Sequence, residues 1–213
     1  MLSGPAVALD ALTEAHRQPL RSLADRDQSI WTYFPIGYCG AGDDFDPWFD
    51  RALAHARAGT QLPFAVVRKA DGCVVGTTRF YEIVPEHRRL AIGSTWYGPD
   101  TRGTLTNFEV RLLQLTLAFE RWGMNRIELI TDPLNMASRA AMKLLGAVEE
   151  GRLRNHLIYK DGRIRDSIVF SIIANEWPVV RSRLLRKLGY EGFWAPSPLD
   201  HDGNVGGNRP NLD

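Results

Sequence analysis

Two stretches of this chain carry the residue types that hold an anion at the start of a helix. The first is Pro99, Asp100, Thr101, Arg102, Gly103, Thr104, Leu105 and Thr106. A helix starting here presents free backbone N–H groups and the positive end of its dipole. Gly103 lets the backbone come close to a ligand. Arg102 adds a cation, and Thr104 and Thr106 add hydroxyl donors. That set fits a diphosphate, and it equally fits a strand-to-helix loop with ordinary capping. The second stretch runs from Thr131 and Asp132 through Pro133 to Asn135 and Ser138. Asn135 and Ser138 stand at cap positions of another helix start.

Three side chains are candidates to take a proton. The first is His156, since an unperturbed imidazole, with a pKa of about 6.5, suits proton abstraction near neutrality. Glu82 lies on a strand, and Asp132 lies just before Pro133. Each has a plain structural alternative: a half-buried histidine, a solvated strand end, and a turn residue. Trp31, Tyr33, Phe34, Tyr81 and Trp96 can line an aromatic acceptor pocket or belong to the core. Arg152, Arg154, Arg163 and Arg165 can attract an acidic partner or be solvated strand residues.

These residues need elements to position them. Ala6 to Leu12 reads as a first strand, and Thr13 can cap a helix carrying Leu20 and Leu23. After an aromatic loop from Trp31 to Phe45, Asp46 as N-cap and Pro47 at the first position start a second helix. That helix stops near Gly59. Leu62 to Lys69, Val74 to Ile83 and Arg89 to Tyr97 form a meander, with Asp71-Gly72 as its first turn. Thr106 to Trp122 is a long helix with one apolar stripe. Arg126 to Thr131 is a strand, and Asn135 to Leu145 is a helix closed by Gly146. Val148 to Tyr159 and Arg165 to Ile173 form a hairpin, and Glu176 to Leu188 is the last helix. The central strand–helix–strand unit implies one parallel pair in an otherwise antiparallel sheet. A crevice opens where such strands part at their C-terminal ends.

Composition bounds the function. The chain has 213 residues, 44% hydrophobic and 24% charged, with a formal net charge of +1. That is the profile of a globular domain with a sizeable core. The charge balance argues against a general nucleic-acid binder. The two cysteines, Cys39 and Cys73, are too few for a disulfide framework. Cys and His never cluster at a zinc spacing. No apolar run is long enough for a membrane span, and no signal peptide is legible, so the expected compartment is the cytoplasm. The stretch from Trp194 onward is rich in Pro, Gly, Asn and Asp and reads as a flexible polar tail.

Taken in order, these motifs resemble the Gcn5-related N-acetyltransferases (GNAT), nearest to the RimJ/RimL type that acts on ribosomal-protein N-termini. The resembling residues are Val75-Gly76-Thr77, then Ile92 to Tyr97, then Pro99, Arg102-Gly103-Thr104 and Asn107-Phe108-Glu109. Glu128 to Asp132, Asn135 with Ser138-Arg139, Leu144 to Ala147, Glu150-Gly151, His156 and Asp161-Gly162 follow. The likeness spans roughly residues 6–188. It implies an α+β fold with a mostly antiparallel twisted sheet, one central parallel βαβ splay and flanking helices. Residues 1–193 would form one acetyl-CoA-binding domain, and 194–213 the tail.

The resemblance further implies acetyl transfer from acetyl-CoA to a primary amine, a protein N-terminus or a small molecule, by direct attack in a ternary complex. Thr95, Trp96 and Tyr97 would pair with the pantetheine arm, where a backbone N–H polarises the thioester carbonyl. Arg102, Gly103, Thr104, Leu105, Thr106 and Asn107 would hold the diphosphate. Asn135 and Ser138 would contact the rest of the coenzyme. His156 stands near a position that carries a catalytic carboxylate in RimL-like enzymes, and Glu82 is the second candidate base. The family loop reads Gln/Arg-x-x-Gly-x-Gly/Ala. Here Gly103 is kept, Asp100 replaces the leading residue and Leu105 the second glycine, with Arg102 as a shifted cation. Many members place a proton-donating tyrosine seven residues after the Asn; here that residue is Met142, and Ser138 becomes the candidate donor. A homodimer is compatible with this family. The alternative reading is a non-catalytic acyl-CoA-binding or protein-interaction module on the same fold.

Overall fold

The computed structural model describes residues 1–35, 40, 42–159, 161–192 and 194. Cys39 and the polar stretch 195–213 lie outside the described residues. Eight strands form one sheet: β1 (Leu2–Ser3), β2 (Val7–Ala11), β3 (Leu62–Arg68), β4 (Val74–Val84), β5 (Arg89–Tyr97), β6 (Arg126–Thr131), β7 (Val148–Ile158) and β8 (Ile164–Ile173). Five helices are α1 (Arg17–Arg26), α2 (Phe45–Arg57), α3 (Thr106–Thr116), α4 (Met136–Leu145) and α5 (Trp177–Leu188). The strand order is β1-β2-β3-β4-β5-β6-β8-β7. Every neighbouring pair is antiparallel except β5 and β6, which run parallel. This is the mixed α+β architecture expected from the sequence.

The sheet separates two apolar layers. On one face α3 and α5 pack over Leu9, Phe64, Phe80, Leu90, Ile92, Leu129, Phe170 and Ile172. On the other, α1 and α2 pack Leu20, Phe45, Trp48 and Phe49 against Trp31, Ala65 and Trp96. The Trp31 and Trp96 rings meet edge-on with centroids 5.3 Å apart. Alternation along β5 explains the division, since Trp96 and Tyr97 point to opposite faces. Gly76 is needed where β4 meets β5, because a Cβ there would lie 2.3 Å from the Trp96 carbonyl oxygen.

Four boundaries differ from the sequence expectation. Thr13 opens a 3-10 turn, Glu14–His16, closed by a capping box with the His16 ring before α1 begins. The second helix starts at Phe45, not after Asp46. Asp46 is occupied otherwise: Arg17 donates to its Oδ1 at 3.0 Å, and Arg21 pairs with Oδ2. The long helix is α-helical only to Thr116 and continues as a π-helical turn, Leu117–Arg121. A two-residue strand, β1, extends the sheet beyond β2. The start of β2 is tied down by Glu109 on α3, whose Oε1 accepts from the Ala6 and Val7 amides at 2.8 and 3.0 Å.

Candidate active site

The crevice is built by two strands that part. β5 and β6 pair only over Arg89↔Arg126, Leu90↔Ile127 and Ala91↔Glu128. Beyond these, β5 stays with β4 and β6 stays with β8. The facing edges from Ile92 and from Leu129 have no strand between them.

A bulge sits where the crevice opens. β4 advances from Thr77 to Arg79 while β5 advances from Trp96 to Gly93, one residue more. The extra residue is accommodated at Ser94, which has φ 46, left-handed for a residue with a side chain. A bulge bends its strand and re-aims its backbone groups. Backbone strain of this kind concentrates at functional sites. Sequence reading missed the bulge at Gly93-Ser94-Thr95. A polar Gly-Ser-Thr run inside an apolar strand was the available signal.

The loop after β5 turns into α3. Pro99–Thr101 form a 3-10 turn, and Gly103 takes φ 76, with open space where a Cβ would stand. Thr104 Oγ1 donates to the Thr101 carbonyl at 2.7 Å and accepts from the Thr106 amide at 3.3 Å. Thr104 is therefore a cap as well as a loop hydroxyl. Leu105 is 49% exposed beside it. Asn107 Oδ1 accepts from the Tyr97 hydroxyl at 3.2 Å, which fixes the helix start to the end of β5. Burial pushes the Tyr97 phenol up to about 12, so it donates at any ordinary pH. Arg102 turns away from the loop and pairs with Asp27, with Ser29 Oγ at 3.4 Å.

On the far side, Asn135 caps α4 by accepting from the Ser138 amide at 3.0 Å. Ser138 is half-buried in the first turn of α4, and Met142 packs partly on the main core. Asp132, at the end of β6, is buried. Its Oδ1 accepts from the Leu134 amide at 2.8 Å, and its Oδ2 from the Tyr159 hydroxyl at 2.6 Å and Arg163 at 3.1 Å. Burial pushes this carboxyl up, but the Tyr159 hydroxyl, the Leu134 amide and Arg163 together hold it below its usual range. Asp132 thus acts as the anchor of the β7–β8 hairpin.

The structure distributes the candidate bases unevenly. His156 Nδ1 lies 2.9 Å from Ser167 Oγ. Ser167 alternates with Ile168 along β8, so this contact is on the α1/α2 side of the sheet, the side of Trp96. Glu82 lies next to the Tyr81↔Ala91 pair, where β5 and β6 are still joined. It is exposed with φ 47 near the β4–β5 turn. The Ser94 bulge is three residues beyond Ala91, about 10 Å of strand. Of the aromatic set, Trp31 and Trp96 are buried in the second core layer, while Tyr81 covers Gly93. Of the arginines, Arg163 and Arg165 face Asp132, and Arg152 pairs with Asp166 at 2.6 Å. They do not stand as a free basic patch.

An acyl-CoA fits these residues. A pantetheine arm carries amides that the unpaired β5 edge can bond, and a diphosphate suits the turn around Gly103 and the α3 start.

The comparisons agree with this geometry. The Bacillus subtilis (strain 168) protein YdaF, a candidate ribosomal N-acetyltransferase, is 30% identical over 108 residues, 50% of this chain and 57% of that protein. The chain thus spans a little over half of that relative. A GCN5-related N-acetyltransferase from Brucella melitensis superposes with a TM-score of 0.77 at 28% identity, over 96% of this chain and 89% of that one. Mycobacterium smegmatis RimJ, solved with CoA-disulfide, gives a TM-score of 0.75 at 25% identity, over 89% of this chain and 95% of that one. Residues 7–148 match the family described as Acetyltransferase (GNAT) domain, and with β5 and β6 parted and a bulge in β5 this chain belongs to the GNAT acetyltransferase family.

Proposed function

We propose that the protein transfers the acetyl group of acetyl-CoA to a primary amine by direct attack in a ternary complex. The observation that carries this reading is the Ser94 bulge, placed where β5 leaves β6 and one short loop from the α3 N-terminus. When bound, acetyl-CoA supplies an activated acyl group. The β5 edge from Thr95 to Tyr97 aligns its pantetheine arm, and a bulge N–H polarises the thioester carbonyl. The loop from Arg102 to Asn107 and the cap residues Asn135 and Ser138 hold its outer parts. His156 takes the proton of the incoming ammonium from the α1/α2 side of the sheet, directly or through water.

A thiol-release assay with acetyl-CoA and a panel of amines tests the reading. The panel includes peptide N-termini, because YdaF carries a ribosomal N-acetyltransferase name, and polyamines as the small-molecule class. Acetyl-dependent thiol release with at least one amine is the expected result. The second reading, a non-catalytic acyl-CoA-binding module, is favoured by the Arg102–Asp27 pair and by Met142. It predicts calorimetric binding of CoA with no thiol release for any amine.

A further inference from the structure

Arg111 is a buried cation without a carboxylate partner among the described residues. It is 8% exposed and projects from α3 onto the sheet directly behind the bulge. Its Nη1 donates to Gln114 Oε1 at 2.8 Å, and its Nη2 to Thr95 Oγ1 at 3.0 Å. Thr95 Oγ1 in turn donates to the Gly93 carbonyl at 3.2 Å and lies 2.7 Å from Thr78 Oγ1. The guanidinium is therefore bonded to the residue beside Ser94. The ionisable groups that face it are the phenols of Tyr97 on β5 and Tyr81 on β4. Both are neutral at ordinary pH. Burial lowers the guanidinium pKa, and the two phenols oppose that shift.

A charge held in the interior with only neutral partners is costly. Thr78, Thr95 and Gln114 satisfy its hydrogen bonds but leave its charge uncancelled. The resulting positive potential is felt most where the protein is open nearby, at the crevice between β5 and β6. An anion forming there is stabilised by it. Met142 occupies the α4 position from which a tyrosine would donate a proton, and a thioether cannot donate one.

We propose that Arg111 is a positioning residue that, acting through Thr95, stabilises the departing coenzyme A as a thiolate, replacing a proton donor. The inference rests on the acetyl-transfer reading. In the transfer, the amine nitrogen forms the bond to the carbonyl carbon as the carbon–sulfur bond breaks. The bonding pair stays on sulfur, and the ammonium proton passes to His156 or water. Arg111 keeps its own proton throughout.

The test is the acidity of the coenzyme A thiol while it is bound. Its thiolate absorbance is titrated on the whole chain, against the same protein carrying desulfo-CoA, which cancels the protein's own thiols and phenols. Arg111→Met is expected to raise the bound thiol pKa by at least about one unit, and Arg111→Lys to restore most of it. Thr95→Val keeps the charge and provides a second variant should Arg111→Met fold poorly. It is expected to shift the thiol less than Arg111→Gln does. A bound thiol with the same pKa in wild type, Arg111→Met and Arg111→Gln overturns the proposal while leaving the acetyl-CoA reading intact. Failure of the wild type to bind CoA overturns that reading, and this proposal with it.

Discussion

The Tyr159 hydroxyl donates to Asp132 Oδ2 at 2.6 Å, tying the tip of the last hairpin to the end of β6. Arg163 joins the same oxygen and lies over the Tyr159 ring, 3.9 Å from its centroid. Asp132 therefore holds two side chains of the hairpin turn, Tyr159 and Arg163, at the mouth of the crevice. Its carboxyl pKa is depressed in the fold, so its stabilising effect is present above the ordinary value of 3.8. It is lost as pH falls through the folded value. Urea unfolding measured from about pH 5 down to about pH 3 should show a falling stability limb that Asp132→Asn flattens. At neutral pH the same substitution should cost about 2 kcal/mol.

Asn135→Ala removes the α4 cap, and Ser138→Ala removes a hydroxyl from the same turn. The first should lower stability by about 1 kcal/mol. Together they should weaken acetyl-CoA binding severalfold in calorimetry. Unchanged affinity would show that both residues only cap the helix.

His156→Ala should lower turnover more than coenzyme affinity, because His156 stands on β7, apart from the loop after β5. A variant that retains full rate would move the base to Glu82 or to water. Turnover of the Glu82→Ala variant separates these outcomes.

Arg102 pairs with Asp27 at the surface, where solvent screens the attraction. Asp27→Ala releases the guanidinium toward the loop and should tighten CoA binding by up to about fivefold. Arg102→Ala should not tighten it. Equal affinities in all three proteins would exclude Arg102 from the diphosphate site.

Ser94 holds φ 46 at the bulge. Ser94→Gly should be neutral or stabilising, and Ser94→Val should cost about 1–3 kcal/mol. Chemical denaturation of the two variants checks the sign. Loss of CoA binding in the valine variant, with its fold retained, would tie the bulge geometry directly to the crevice.

Much of this architecture is written locally in the chain. The Asp71-Gly72 turn, Asn135 with Gly146 around α4, and the alternation of β5 are short-range signals. Each comes from steric and hydrogen-bonding preferences of a few neighbouring residues, which is why the boundaries of β5, β6 and the end of α4 could be read directly. The start of α2 could not, because the Asp46 carboxylate goes to Arg17 and Arg21 on another helix.

Tertiary structure alone decided the site's electrostatics and its working geometry. Arg102 looked like a free cation in the sequence, but α1 brings Asp27 to it. Arg163 and Arg165 looked like part of a basic patch, but the end of β6 brings Asp132 to them. Packing of α3 on β4 and β5 buries Arg111 among neutral groups. The bulge at Ser94 exists because two strands keep register on either side of an extra residue. Residue type and spacing determine which elements form and which groups are available. Whether a charge is cancelled, buried or aimed at a crevice depends on partners far away in the chain, which only the folded sheet brings together.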